Sequence, residues 1–83
     1  MSGFGRCGEW FAWQRYGAAG RPDVITLAKG LTGAMLPLGA VVLSREIAAQ
    51  LDDQVLATGL TYCGHPLLCA AGATCPRDSR CLP

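Results

Sequence analysis

PDVITLAKGLTGAMLPLGAVV, residues 22–42, contains one short apolar run and all but the last residue of a second, joined by a loop that carries the only lysine of the chain. The first run, residues 24–28 (VITLA), is rich in β-branched residues, a pattern typical of a strand buried on both faces of a parallel α/β sheet. The second run, residues 38–43 (LGAVVL), is another candidate for a buried strand. The stretch therefore predicts two strands of an α/β sheet, with Lys29 at the carboxyl end of the first.

Glycines and aromatic residues alternate upstream of this stretch. Such dense glycines indicate turns and close backbone approach, and the aromatic side chains need a surface to pack against. Residues 9–16 (EWFAWQRY) predict a short helix that ends before Pro22. The simplest interpretation of three aromatic residues places them in the core: Trp10, Phe11 and Trp13.

Two helices are predicted downstream. Ser44 is placed to cap a helix over residues 45–51 (REIAAQL), and the residues that follow Pro66 (LLCAAGA) are helix-prone. The segment between these helices, residues 54–66, mixes strand and loop character. From Thr74 onward the periodicity is lost and charged residues cluster.

Composition narrows the class of protein. The 83 residues are 51% hydrophobic and 16% charged, the opposite of a disordered tail. A chain of this size buries only about 60% of its unfolded surface, so its stability alone is expected to be marginal. The net charge of +1, without a cluster of Lys and Arg, argues against nucleic-acid binding. No apolar stretch approaches a membrane span and no secretory signal is apparent, so we expect a soluble cytoplasmic protein.

Five cysteines raise the question of a disulfide or metal framework. The last four follow one another at intervals of six residues, which matches neither a helix face nor a strand face. There is no C-x-x-C pair, and the only histidine is His65. We interpret the thiols as incidental and expect no metal site. The cysteines are Cys7, Cys63, Cys69, Cys75 and Cys81.

The position of Lys29 permits two interpretations. Desolvation at the end of a buried strand favours a neutral amine, the form that condenses with carbonyls to give a Schiff base. Ligands of open α/β sheets also bind beyond the carboxyl ends of strands. A lysine after a strand is otherwise usually solvated, with its stem lying along apolar surface. Position alone favours this second, non-catalytic interpretation.

Three runs in order along the chain resemble the class III aminotransferases. They are MSGFGRCGEWFA at residues 1–12, PDVITLAKGLTGAMLPLGAVV at residues 22–42 and GLTYCGHPLLCAAG at residues 59–72. The resemblance implies an α/β fold that is part of the large cofactor-binding domain of fold-type I pyridoxal-phosphate-dependent transferases, an incomplete mixed sheet with flanking helices. Residues 1–73 are expected to belong to this domain, and residues 74–83 to form an atypical tail.

The same resemblance implies a cofactor and two site residues. Lys29 matches the lysine that forms the Schiff base with pyridoxal 5′-phosphate and later moves the proton at the substrate carbon. Thr61 matches the residue that binds the cofactor phosphate, reaching across a homodimer interface into the partner's site. Without that context Thr61 is an ordinary strand-end threonine. The implied substrates are a small-molecule amino donor and a 2-oxo acid acceptor.

Two other polar residues invite functional interpretation. His65, before Pro66 in a turn, is expected to orient the backbone, since no acid–base partner is visible in the sequence. Arg6, within GFGR, is expected to make a structural hydrogen bond, although a role in binding a carboxylate is the alternative.

The chain also departs from the family pattern. Cys7, Glu9 and Cys63 stand where the family usually has Thr, Lys and Ser. The family's aspartate that pairs with the pyridinium nitrogen lies upstream of GFGR, so we expect the chain to be a fragment that is inactive in isolation. Two alternatives remain open: an aminomutase of the same fold and a non-enzymatic cysteine-rich binding module.

Overall fold

A computed structural model describes residues 2–75 of the chain. Two strands, β1 (Val24–Leu27) and β2 (Ala40–Leu43), form a sheet, and two helices follow, α1 (Arg45–Ala49) and α2 (Pro66–Thr74). Three short 3₁₀ helices complete the regular structure, at Ala12–Tyr16, Ala18–Gly20 and Lys29–Thr32.

The two strands pair in antiparallel register, with Val24 opposite Leu43 and Leu27 opposite Ala40. Both predicted strands are therefore confirmed, somewhat shortened. The expectation of parallel strands buried on both faces is wrong for this pair, because within residues 2–75 each strand has only the other as a neighbour. Val24 is 47% exposed and Val41 is 63% exposed.

The two predicted α-helices are confirmed. The Ser44 hydroxyl caps α1, accepting a hydrogen bond from the Ile47 N–H at 3.4 Å. The Pro66 ring occupies the first turn of α2, where no intrahelical N–H is lost. Helix α1 ends at Ala49 and continues as turns, so it is shorter than the predicted helix over residues 45–51.

Three other expectations need correction. The predicted helix over residues 9–16 is a 3₁₀ helix that begins only at Ala12. The segment over residues 54–66 contains no strand; its residues 55–60 lack regular structure, and most of the segment is exposed. Trp10 is not a core residue, since it is 41% exposed.

The small core surrounds the loop between the two strands. Phe4, Gly30 and Thr32 are buried there. Helix α2 approaches the same loop closely through Gly72, because a β-carbon at that position would overlap the Leu38 side chain. Phe4 and α2 thus both pack against the loop that carries Lys29.

Candidate functional site

A groove of about 430 Å³ lies between the glycine-rich N-terminal segment and β1. Its walls combine aromatic side chains of the first segment with the length of the strand, and Lys29 lies at the strand's carboxyl end. The lining residues include Phe4, Arg6, Phe11, Trp13 and Lys29. The groove therefore brings together residues from two of the three sequence runs described above.

Lys29 is exposed and has a left-handed backbone, with φ +50°. A non-glycine residue in this region costs roughly 1–2 kcal/mol, so the surrounding structure must hold it there. The Lys29 carbonyl accepts a hydrogen bond from the Ala34 N–H at 2.8 Å. The exposure of Lys29 agrees with the solvated interpretation that its position alone favoured, because the strand before it is itself partly exposed.

Thr32 makes hydrogen bonds across the loop that carries Lys29. It is only 2% exposed, and its hydroxyl donates to the Leu36 carbonyl at 2.7 Å and accepts from the Leu36 N–H at 3.3 Å. Gly33, at the end of the 3₁₀ helix, is left-handed with φ +61°. Buried hydroxyl groups need such partners, since an unpaired one costs free energy. Sequence reasoning missed Thr32, because nothing in the local pattern distinguishes it from a solvated loop threonine.

The glycine-rich segment folds into a tight turn that forms the opposite wall of the groove. Gly5 and Gly8 have φ of +86° and +85°, and the Gly8 N–H donates to the Gly5 carbonyl at 3.0 Å. Arg6 donates through Nη1 to the Gly3 carbonyl at 3.4 Å, which confirms its predicted structural hydrogen bond. Arg6 also lines the groove, so its guanidinium adds a positive charge to the groove wall.

Trp13 contributes a buried donor that the sequence did not single out. Its indole Nε1 is buried and has no hydrogen-bond partner within the part of the chain that the structure describes. Buried indole N–H groups usually find an acceptor. Trp13 is also one of the residues that line the groove.

Thr61 lies away from this groove. It is exposed and begins a turn over residues 61–64, in which Gly64 has φ +71°. Its neighbours Leu60 and Tyr62 are 84% and 74% exposed. Thr61 is not among the groove-lining residues, so the structure does not bring the two predicted site residues into one pocket.

His65 acts on the backbone, as predicted. Its Nδ1 accepts a hydrogen bond from the Leu67 N–H at 3.2 Å and so caps α2. The imidazole also lies 6.1 Å from the Tyr62 ring. These contacts link the Thr61 turn to the start of α2.

Within residues 2–75, no group of three or more His, Cys, Asp or Glu side chains is arranged to hold a metal ion. Cys7 is half-buried, Cys63 and Cys69 are exposed, and Cys75 is buried. Cys81 and most of the predicted tail lie outside the described residues. None of the described helices has the length and apolar character needed to cross a membrane.

Comparison with known proteins identifies the family. Residues 1–75 match the family model described as aminotransferase class-III. The chain belongs to the class III aminotransferases. It is 47% identical over 77 residues to an omega-aminotransferase of Caulobacter vibrioides, covering 87% of this chain and 17% of that protein. It is 48% identical over 71 residues to a putrescine–pyruvate aminotransferase of Pseudomonas aeruginosa, covering 84% of this chain and 15% of that protein.

Solved structures give the same result for the fold. An S-selective transaminase from Arthrobacter sp. with alanine bound superimposes with a TM-score of 0.81 at 49% identity, over 88% of this chain and 15% of that one. Taurine:2-oxoglutarate aminotransferase from Bifidobacterium kashiwanohense, in complex with PLP and glutamate, gives 0.79 at 52% identity, over 88% and 16%. The predicted fold is confirmed as part of a fold-type I transferase, and the class III chain spans about a sixth of these relatives.

Class III aminotransferases use pyridoxal phosphate, and the groove presents groups that suit it. Its volume falls within the roughly 300–1,000 Å³ of small-molecule sites. Lys29, an exposed residue, supplies a primary amine, and Arg6 supplies a cation that attracts phosphate. These residues fit the cofactor's aldehyde and anionic groups.

Proposed function

We propose that this class III chain is the lysine-bearing part of a pyridoxal-phosphate-dependent aminotransferase. The enzyme moves an amino group from an amino acid or amine donor to a 2-oxo acid. One observation carries the proposal: the only lysine of the chain lies on the groove, within the segment that matches the family model. The named relatives are also aminotransferases, which favours transamination over the aminomutase alternative.

Lys29 has the catalytic role in this proposal. When bound, pyridoxal phosphate supplies an electron sink for the electron pair left on the substrate carbon. The Nζ of Lys29 binds the cofactor and later moves the proton at that carbon, which requires an amine held at a defined place. The closed loop from Lys29 to Leu36 supports such placement.

Thr61 is proposed to bind the cofactor phosphate in the site of a partner subunit. Two features support this: Thr61 lies outside the groove that Lys29 lines, and the exposed apolar side chains of Leu60 and Tyr62 flank it. Exposed apolar clusters mark surfaces that another protein covers. A homodimer is the partner arrangement that we propose.

We further propose that the 83-residue chain by itself does not catalyse transamination. Among residues 2–75, the groove-lining set contains no Asp or Glu, so no carboxylate is available there to hold a proton on the cofactor ring. Transamination by the purified chain that Lys29→Ala abolishes would contradict this part of the proposal.

The test of the lysine assignment uses the single lysine as a built-in marker. The purified 83-residue chain is incubated with pyridoxal phosphate, reduced with borohydride and mapped by mass spectrometry. We expect the adduct at Lys29 to form in preference to the N-terminal amine, because Lys29 lines a groove that Arg6 also lines. The same chain in urea measures the reactivity of an unstructured lysine, and Lys29→Arg should lose the adduct. Equal labelling with and without urea would refute the assignment.

A further inference from the structure

Among residues 2–75, three non-glycine residues have left-handed backbones, and two of them belong to the Lys29 loop. Lys29 has φ +50° and Ala34 has φ +61°; the third, Phe4, lies in the opposite wall of the groove with φ +57°. Left-handed backbones of bulky residues are rare and persist only where surrounding contacts maintain them. Contacts around these two segments must therefore hold the three residues in the left-handed region.

Phe4 makes that contact at Gly30, the residue that follows Lys29. A β-carbon built on Gly30 would lie 2.8 Å from Phe4 Cδ2 and 2.9 Å from Phe4 Cβ. Gly30 itself has no left-handed backbone, and the three atoms nearest to such a β-carbon all belong to the Phe4 side chain. Both residues are buried, Phe4 to 6% exposure.

Phe4 is in turn held in place. Its N–H donates to the Trp10 carbonyl, and its ring packs edge-on against Phe11 with centroids 5.5 Å apart. The Lys29 loop is closed by its own hydrogen bonds, including Ala34 N–H to the Lys29 carbonyl and Thr32 to Leu36. The contact between Phe4 and Gly30 thus joins the N-terminal segment to the Lys29 loop, and each of these is held by contacts of its own.

We propose that Phe4 is a positioning residue for Lys29. By packing on the Cα of Gly30 it holds Lys29 in the left-handed region and keeps the lysine side chain on the groove. This inference rests on the proposed function only in giving the position of Lys29 a catalytic consequence. The packing of Phe4 on Gly30 does not depend on the cofactor. The residue acts through the backbone and need not touch the cofactor.

Two readouts test the proposal in the 83-residue chain. A strong intraresidue NOE between the amide and α protons of Lys29 reports its positive φ in solution. The ratio of pyridoxal phosphate labelling at Lys29 to that at the N-terminal amine reports the placement of the amine. The variants are Phe4→Leu and Gly30→Ala, with Tyr16→Leu as the control. Tyr16→Leu removes an exposed aromatic ring that does not line the groove.

We expect Phe4→Leu and Gly30→Ala to weaken the NOE and to lower the labelling ratio by a factor of roughly 5 to 30, the range that packing changes of this kind produce. Tyr16→Leu should change neither by more than about twofold, as for a surface substitution away from the contact. If Phe4→Leu unfolds the chain by circular dichroism, Gly30→Ala decides alone.

The proposal is overturned if the NOE of Lys29 is absent in the unmodified chain, if both contact variants match it, or if Tyr16→Leu lowers both readouts as much as the contact variants do. An unmodified chain that shows the NOE without preferential labelling would refute the proposed function alone. The NOE comparison among variants would then still decide whether Phe4 positions Lys29.

Discussion

Replacing Thr32 with valine tests how much the closed Lys29 loop contributes to stability. Valine has nearly the same shape as threonine but lacks the hydroxyl that bonds to the Leu36 carbonyl at 2.7 Å and to its N–H at 3.3 Å. Because Thr32 is only 2% exposed, water cannot replace the lost partner at that position. The Leu36 backbone groups are then left without their hydroxyl partner.

An unsatisfied buried polar group costs about 1–3 kcal/mol, so we expect Thr32→Val to lower the free energy of unfolding by that amount. Each kcal/mol lowers the melting temperature of a chain of this size by about 4–8 °C. Thermal unfolding followed by circular dichroism measures the melting temperature, and urea titration gives the free energy of unfolding.

Thr74→Val is the matched control. The Thr74 hydroxyl donates to the Ala70 carbonyl at 2.8 Å, but this residue is exposed at the end of α2. Water can replace that bond, so the substitution should change stability by no more than about 0.5 kcal/mol. Equal losses in the two variants would show that burial does not set the cost and would refute the reasoning.

Two further substitutions test local features of the fold. Ser44→Ala removes the acceptor for the Ile47 N–H and should lower the free energy of unfolding, measured in urea, by about 0.5–1 kcal/mol. Ser44→Asp keeps an acceptor and should lower it by less. Equal losses in the two variants would contradict a capping role. Gly20→Ala would place a β-carbon 2.7 Å from Tyr16 Cβ, so we expect a loss of about 1–3 kcal/mol from overpacking. Ala19→Gly, in the same 3₁₀ helix, is its control, and a Gly20→Ala chain as stable as the unmodified one would refute the close contact.

The elements were predictable where local chemistry decides them. The apolar run at residues 24–28 gives β1, Ser44 begins α1, and Pro66 with His65 begins α2. Each depends on residues within a few positions of one another, such as a cap or a short β-branched run. Such signals can be recognised in the sequence without knowledge of the tertiary structure.

Strand pairing and burial were not predictable in the same way. The runs that form β1 and β2 read as strands buried on both faces of a parallel sheet, yet they pair with each other in antiparallel register and leave Val24 and Val41 exposed. An apolar run shows only that a strand can be buried. Whether it is buried depends on which strands and helices pack against it.

By itself, the sequence determined the family and the identity of the candidate lysine, because three collinear motifs surround the only lysine of the chain. Only the tertiary structure decided that Lys29 is exposed on a groove with a left-handed backbone. It alone also revealed that Phe4 packs on Gly30 and that Thr32 is buried. The physical reason is that motifs record residue types, whereas φ values and contacts between distant segments arise from packing that no local pattern contains.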